Sequence, residues 1–343
     1  MADAGMTSIE SINLSIRRLQ SQEAELEVIW QTDEWDHFIR PQNEPAGSSP
    51  AIPLISVLDS SFNPPTLAHL ALALLPPIAP SSSQPPPSSH AYILLLSVRN
   101  ADKQLKPGDP TLAQRVQMMI LLAQAIHARL IDARAGSGRG GPSPCIMVAV
   151  IDEPTFVGKS QKLVRYFRSQ LQLGTESALG PEPTGTTLHD QPIPPRLTFI
   201  VGWDTIIRVF NVKYYGTREA MNASLGLFFK DDRSSMVCAR RSTAQLQSPR
   251  SESENASARK EEEEEEEAAF LGSDDVKEYV ESGVVKMVDL DGEVASLSST
   301  LVRASMARNE GDNDEGRHQD GDDMLVPTIA EYIRREGLYL SSA

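Results

Sequence analysis

The chain has 343 residues, 40% of them hydrophobic, which is room for one large or two small domains with a substantial core. Its formal net charge is −15, and it stays acidic without the seven consecutive glutamates Glu261–Glu267, a tract that reads as solvated, so a nucleic-acid backbone is not expected as its main partner. Cys145 and Cys238 lie in apolar runs without metal-ligand spacing, no apolar stretch approaches bilayer length, and the start MADAGMTSIES has neither a basic leader nor an apolar signal core. Those features predict a soluble protein of a reducing compartment, cytoplasmic or nuclear.

From Thr7 to about Thr32, Ile9, Ile12, Ile16, Leu19, Leu26 and Ile29 recur at helical spacing. The helix is expected either to pack outside the core or to dock a protein partner, with Pro41–Pro50 as a linker. Leu54, Ile55, Val57 and Leu58 then form a short apolar run of the kind buried on both faces of a sheet. Asp59-Ser60-Ser61 ends it. Asn63-Pro64-Pro65 predicts the start of a helix, with Asn63 as a cap, continuing helically from Thr66 to Pro76. A helix entering from a strand aims its first N–H groups above the sheet, where a phosphate is the expected occupant, and Thr66 and His69 share a face of that turn.

Further strands are predicted at Tyr92–Val98, Ile146–Ile151, Leu197–Val201, Met236–Ala239 and Val284–Val288, with an amphipathic helix over Leu112–Leu130. Stretches rich in Pro, Gly, Ser or charge near 76–90, 135–144, 174–195, 242–267 and 309–323 are expected to be mobile surface insertions. The predicted organisation is residues 1–50 as helix and linker, then one domain over 51–343 interrupted by these insertions. Alternating strands and helices imply an α/β fold, a Rossmann-like parallel sheet with helices on both faces, whose ligands bind beyond the carboxyl ends of the strands. Asp59–His69, Asn100–Lys106, Asp152–Gly158, Gly202-Trp203-Asp204 and Arg240-Arg241 all follow predicted strands.

Three segments carry a family resemblance. SSFNPPTLAH resembles the G-x-F-x-P-x-[HT]-x-x-H signature of Rossmann-like nucleotidyltransferases, matching at Phe62, Pro64, Thr66 and His69. LSSTLVR (297–303) resembles I-S-S-T-x-[IV]-R, which closes over a triphosphate. Ile329, Tyr332, Ile333, Gly337, Leu338 and Tyr339 are similar to the [VI]-x-x-Y-I-x-x-x-G-L-Y ending of nicotinamide mononucleotide adenylyltransferases. With its long insertions the chain most resembles their divergent fungal branch, over roughly Leu54–Tyr339.

The resemblance implies transfer of AMP from ATP to nicotinamide mononucleotide, giving NAD and pyrophosphate, with Mg²⁺ bridging the phosphates. Such a transfer needs positioned N–H donors and cations more than covalent chemistry. It casts His69 as donor to the α-phosphate and Arg303 as a bidentate phosphate grip. ATP is expected to be held by Ser61, Phe62, Thr66, His69, Lys103, Asp204, Ser298, Ser299, Thr300 and Arg303, and the acceptor by Asn63, Phe156 and Trp203. Lys106 is a second candidate beside Lys103. Arg115, in an R-x-x-M-x-x-L element, either binds ligand or braces its loop, and a plain helix cap is the local alternative for Ser298-Ser299-Thr300. No metal ligand is assigned to the protein itself.

Two departures stand out. Ser60 replaces the glycine that precedes S-F-N-P, and DEPTFV (152–157) lacks the tryptophans that hold the pyridine ring. Nicotinate mononucleotide and phosphopantetheine are therefore alternative acceptors, and a regulatory nucleotide-binding protein without turnover is the alternative outside catalysis.

Overall fold

The computed structural model describes residues 7–39, 53–78, 90–99, 110–137, 143–178, 194–240, 253–290, 292–308 and 319–339. Its strands are β1 (Leu26–Gln31), β2 (Leu54–Asp59), β3 (His90–Ser97), β4 (Cys145–Ile151), β5 (Arg196–Gly202), β6 (Ser235–Ala239) and β7 (Val285–Val288). The helices are α1 (Ile9–Gln20), α2 (Trp35–Ile39), α3 (Leu67–Ala73), α4 (Leu112–Ser137), α5 (Phe156–Ala178), α6 (Trp203–Val209) and α7 (Arg218–Gly226). They continue with α8 (Ser253–Leu271), α9 (Lys277–Glu281), α10 (Gly292–Ala295), α11 (Ser299–Arg308), α12 (Gln319–Asp322) and α13 (Pro327–Glu336).

One seven-stranded sheet runs in the order β1-β4-β3-β2-β5-β6-β7. All pairings from β4 through β7 are parallel, and β1 alone joins antiparallel. Counted from β2, the parallel strands follow the order 3-2-1-4-5-6, so the direction of winding reverses between β2 and β5. Loops leaving the carboxyl ends of those two strands part in opposite directions and open a crevice.

The strands sit where the apolar runs place them because helices cover both faces. Every residue of β4 is buried, as are the first five of β2. On one face Ile55, Val57 and Phe199 pack with Phe167 of α5 and Phe228 beyond α7. On the other, Leu58, Leu94 and Val148 meet Met119 and Ile126 of α4, Ile12 and Leu19 of α1, and Ile329 and Ile333 of α13. The fold is a mixed, mostly parallel α/β sheet between helices, as the alternation of patterns implies.

The N-terminal element corrects the sequence reading. The helix ends at Gln20, Gln22 turns the chain with φ +62°, and Leu26–Gln31 is a strand on the edge of β4, with a register shift between Val28 and Trp30. Val28, Ile29 and Trp30 suit a pleated surface, and an open sheet edge outweighs a helical spacing that was coincidental there. Ile12, Ile16 and Leu19 are buried, so this apolar face of α1 is engaged inside the chain. Also against expectation, 112–136 is by length and composition apolar enough to cross a membrane. Val116, Met118, Met119, Ile120, Leu122, Ala123 and Ile126 bury it against the sheet instead.

Within the expected insertions, 253–271 is the helix α8, and Phe270 near its end packs edge-on against Trp203 and Phe210, with centroids at 5.3 and 5.9 Å. Residues 79–89, 138–142, 179–193, 242–252 and 309–318 of those stretches, and the linker over 41–50, lie outside the described residues, as does Arg241.

Candidate active site

The site begins where β2 ends. Beyond Asp59 the chain passes through Ser60, Ser61 and Phe62 before α3, and Phe62 takes φ +45°, a left-handed conformation costly for a bulky side chain. Its ring is fully buried and lies 5.4 Å from the His69 imidazole, centroid to centroid. Thr66, not Asn63, is the N-cap of α3, and His69 stands at the third helical position. There it acts as Glu or Gln does in a capping box: Nδ1 accepts the Thr66 backbone N–H at 3.0 Å, with Thr66 Oγ1 also at 3.0 Å.

This contact fixes the chemistry of His69. A backbone N–H can only donate, so Nδ1 must be the unprotonated nitrogen and the neutral ring carries its hydrogen on Nε2. Burial pushes the imidazole down to about 4, so the neutral form prevails at physiological pH. Nε2 lies 3.0 Å from Ser60 Oγ. His69 is therefore an uncharged N–H donor with a locked tautomer, rather than a base or a cation.

Two distant segments close on the same loop. Ser298 caps α11 by accepting the Leu301 N–H at 3.1 Å, while Ser299 Oγ donates to the Pro64 carbonyl at 2.8 Å. Arg303, on the first turns of α11, donates through Nη1 to the Asn63 carbonyl, 240 positions away in sequence, and through Nη2 to Thr300 Oγ1 at 3.1 Å. From the C-terminal segment, the Tyr339 hydroxyl donates to Asn63 Oδ1 at 2.8 Å. Tyr339, like Phe62, has a positive φ, +63°. Thus the three segments that resembled a family in sequence meet around Asn63 and Pro64.

One expected feature of α3 is displaced. The Leu67 N–H, at its first turn, is taken by the Met324 carbonyl at 2.9 Å, so that donor faces the chain and not a phosphate. The Asn63 side chain, expected to cap the helix, is spent on Tyr339 instead.

Across the crevice, Asp59 forms a buried ion pair with Lys159 of α5, their side chains 9% and 6% exposed. The Lys159 ammonium also lies over the Phe156 ring, 5.0 Å from its centroid, and Phe156 meets Phe199 edge-on at 5.7 Å. Before α5 the Glu153 carboxylate accepts from Thr155 N–H and Oγ1, and a Cβ on Gly158 would come within 2.3 Å of that carboxyl group. Trp203, expected at the acceptor, is 5% exposed and packs on Phe270 in the core. Asp204 is exposed on the first turn of α6. Beside it, a Cβ on Gly202 would meet no atom within 4 Å, so the space over the end of β5 is open.

Of the expected site residues, Ser61, Phe62, Asn63, Thr66, His69, Ser298, Ser299, Thr300 and Arg303 gather at the carboxyl rim of β2, with Asp204 past the neighbouring strand β5 and Phe156 past β4, two strands away. Lys103 and Lys106 lie outside the described residues. Arg115 is buried and donates through Nε to the Pro110 carbonyl, which braces the start of α4. Arg240, past β6, is held by Glu267 at 2.8 Å and by both oxygens of Asp289 at 3.0 Å, so one member of the glutamate run does have a structural partner. Sequence reasoning passed over Lys159, although a lysine four residues before buried Leu163 on an apolar helix face was a visible signal. Among the described residues no group of three or more His, Cys, Asp or Glu side chains could hold a metal ion.

The crevice thus belongs to a doubly wound α/β protein with a neutral imidazole donor and a guanidinium on one rim, a combination suited to phosphate oxygens. The chain is similar to a curated Schizosaccharomyces pombe protein described as a putative nicotinamide mononucleotide adenylyltransferase, 31% identical over 175 residues, 51% of this chain and 49% of the relative. It therefore spans about half the length of the curated relative it matches. Among solved structures, Plasmodium falciparum nicotinic acid mononucleotide adenylyltransferase complexed with APC aligns at 12% identity and TM-score 0.38, over 84% of this chain and 97% of the other. No protein-family model matches the sequence.

Proposed function

We propose that the chain is a nucleotidyltransferase of the divergent fungal nicotinamide mononucleotide adenylyltransferase type, joining ATP to nicotinamide mononucleotide to give NAD and pyrophosphate. The observation that carries this reading is the meeting of His69 and Arg303 at one rim, through Asn63 and Pro64, from opposite ends of the domain. The similarity to the S. pombe protein supports it.

In this reaction an acceptor phosphate oxygen attacks the α-phosphorus of ATP, the Pα–O bond to the acceptor forms, and the bond from Pα to the α,β-bridging oxygen breaks to release pyrophosphate. His69 donates its Nε2–H to a non-bridging oxygen as charge builds there, and Thr66 keeps the proton on that nitrogen. Arg303 has five N–H groups, of which the Asn63 and Thr300 contacts account for two, and offers its fork to the leaving phosphates. Mg²⁺ enters with ATP as part of the substrate and adds charge neutralisation.

The test is direct. Purified chain incubated with MgATP and nicotinamide mononucleotide should generate NAD, read by coupling to alcohol dehydrogenase, while no dinucleotide formation from any pyridine mononucleotide would end the reading. Nicotinate mononucleotide is the second acceptor to assay, because Trp203 is packed in the core and Phe156 carries Lys159 over its ring. Preference for it would keep the reaction and change the substrate.

A further inference from the structure

We propose that the Ser60 hydroxyl occupies the His69 donor in a resting hydrogen bond, which the nucleotide phosphate must displace; this rests on the function proposed above. Because the Thr66 N–H occupies Nδ1, the hydrogen between His69 and Ser60 belongs to Nε2, and Ser60 Oγ is its acceptor at 3.0 Å. The same Nε2–H is the donor that a phosphate oxygen would receive. One hydrogen cannot serve both acceptors at full strength.

The imidazole does not need Ser60 to stay oriented. Thr66 holds Nδ1 through its N–H and lies beside it with its hydroxyl, and the Phe62 ring packs at 5.4 Å. Ser60 itself is anchored by its backbone N–H to the Leu95 carbonyl at 3.3 Å, so its side chain stays beside the donor. Removing the hydroxyl therefore costs the ring little order and leaves Nε2–H to water, a weaker competitor. The net worth of a hydrogen bond between neutral groups, about 0.5–1.5 kcal/mol, sets the scale at roughly 2- to 10-fold.

Ser60→Ala and Ser60→Gly are compared with wild type and with Ser60→Thr, which keeps a hydroxyl. Expected is a rise of roughly 2- to 10-fold in kcat/KM for ATP in the Ala and Gly variants, carried mainly by a lower KM, with Thr near wild type. In the free protein the His69 Nε2–H proton resonance should move upfield and exchange faster in Ala and Gly only, while the Nδ1 nitrogen keeps its acceptor shift. A fall in kcat/KM in folded Ala and Gly variants, or an unmoved Nε2–H signal, overturns the proposal. Should wild type form no dinucleotide, the proposed reaction fails but this inference is still decided by binding of a non-hydrolysable ATP analogue. Tighter binding to the Ala variant upholds it, and equal affinity sinks it.

Discussion

The two ends of the central strand carry near-copies of one side-chain arrangement. At the carboxyl end His69 Nε2 meets Ser60 Oγ at 3.0 Å, and at the amino end His90 Nε2 meets Ser56 Oγ at 2.9 Å. Burial pushes both imidazoles down to about 4. By chemistry and titration they are twins, so neither property marks an active histidine. What differs is position: His69 stands at the end of β2 where the winding reverses, with Arg303 docked on the same loop, whereas His90 opens β3 at the far end and rests on Tyr92 at 4.2 Å between centroids.

The sharpest way to break the pairing is to remove each ring in turn. His69→Ala should lower kcat for dinucleotide formation by roughly 100- to 1000-fold, the usual cost of losing one positioned donor to a developing oxyanion. His90→Gln, which keeps a hydrogen-bonding group near Ser56, should leave kcat within about twofold, since nothing at that end meets the proposed phosphates. Similar losses in both would show that the two ends are not functionally distinct.

In acid the twins should behave alike. Their folded-state values near 4 lie below the ordinary 6.5, so between those values the unfolded chain binds protons that the folded chain refuses. The stability they contribute is complete above pH 6.5, declines as pH falls and is gone near 4, at most roughly 3 kcal/mol for each ring. Chemical denaturation at pH 7 and pH 4.5 measures it. Carboxylates titrate in the same range, so the informative quantity is the wild-type loss minus that of His90→Gln, which should be positive; equal losses would place the protons elsewhere.

How much of this was visible beforehand follows from the physics of each element. Strands β2 to β6 were legible because helices on both faces demand apolar runs, and Cys145–Ile151 or Leu54–Leu58 can hardly be anything else. β1 was not, since an edge strand that is half-buried along its length repeats apolar residues loosely enough to mimic a helix. The motifs single out His69 and Arg303 as candidates, but the partners that surround them in the structure were not legible. Nothing in the local sequence says that His69 takes a capping role or that Ser60 Oγ accepts a hydrogen bond from its Nε2–H. The pairing of Asp59 with Lys159 needs α5 laid across the sheet before the two side chains meet.

The smallest expected effect tests whether the C-terminal segment serves the carboxyl-end histidine or the fold at large. Tyr332 and Tyr339 both place buried hydroxyls on carbonyl oxygens of amide side chains, Tyr332 on Gln117 of α4 and Tyr339 on Asn63 of the site loop. Changing either to Phe strands a buried acceptor, so each should cost about 1–3 kcal/mol in denaturant unfolding. Only Tyr339→Phe should also lower kcat, by a few-fold, because Asn63 carries Arg303 on its carbonyl and Tyr339 on its side chain, so loosening one shifts the other. Matched stability losses with unequal kcat would tie the chain terminus to the chemistry at β2, while matched losses in both would reduce it to packing.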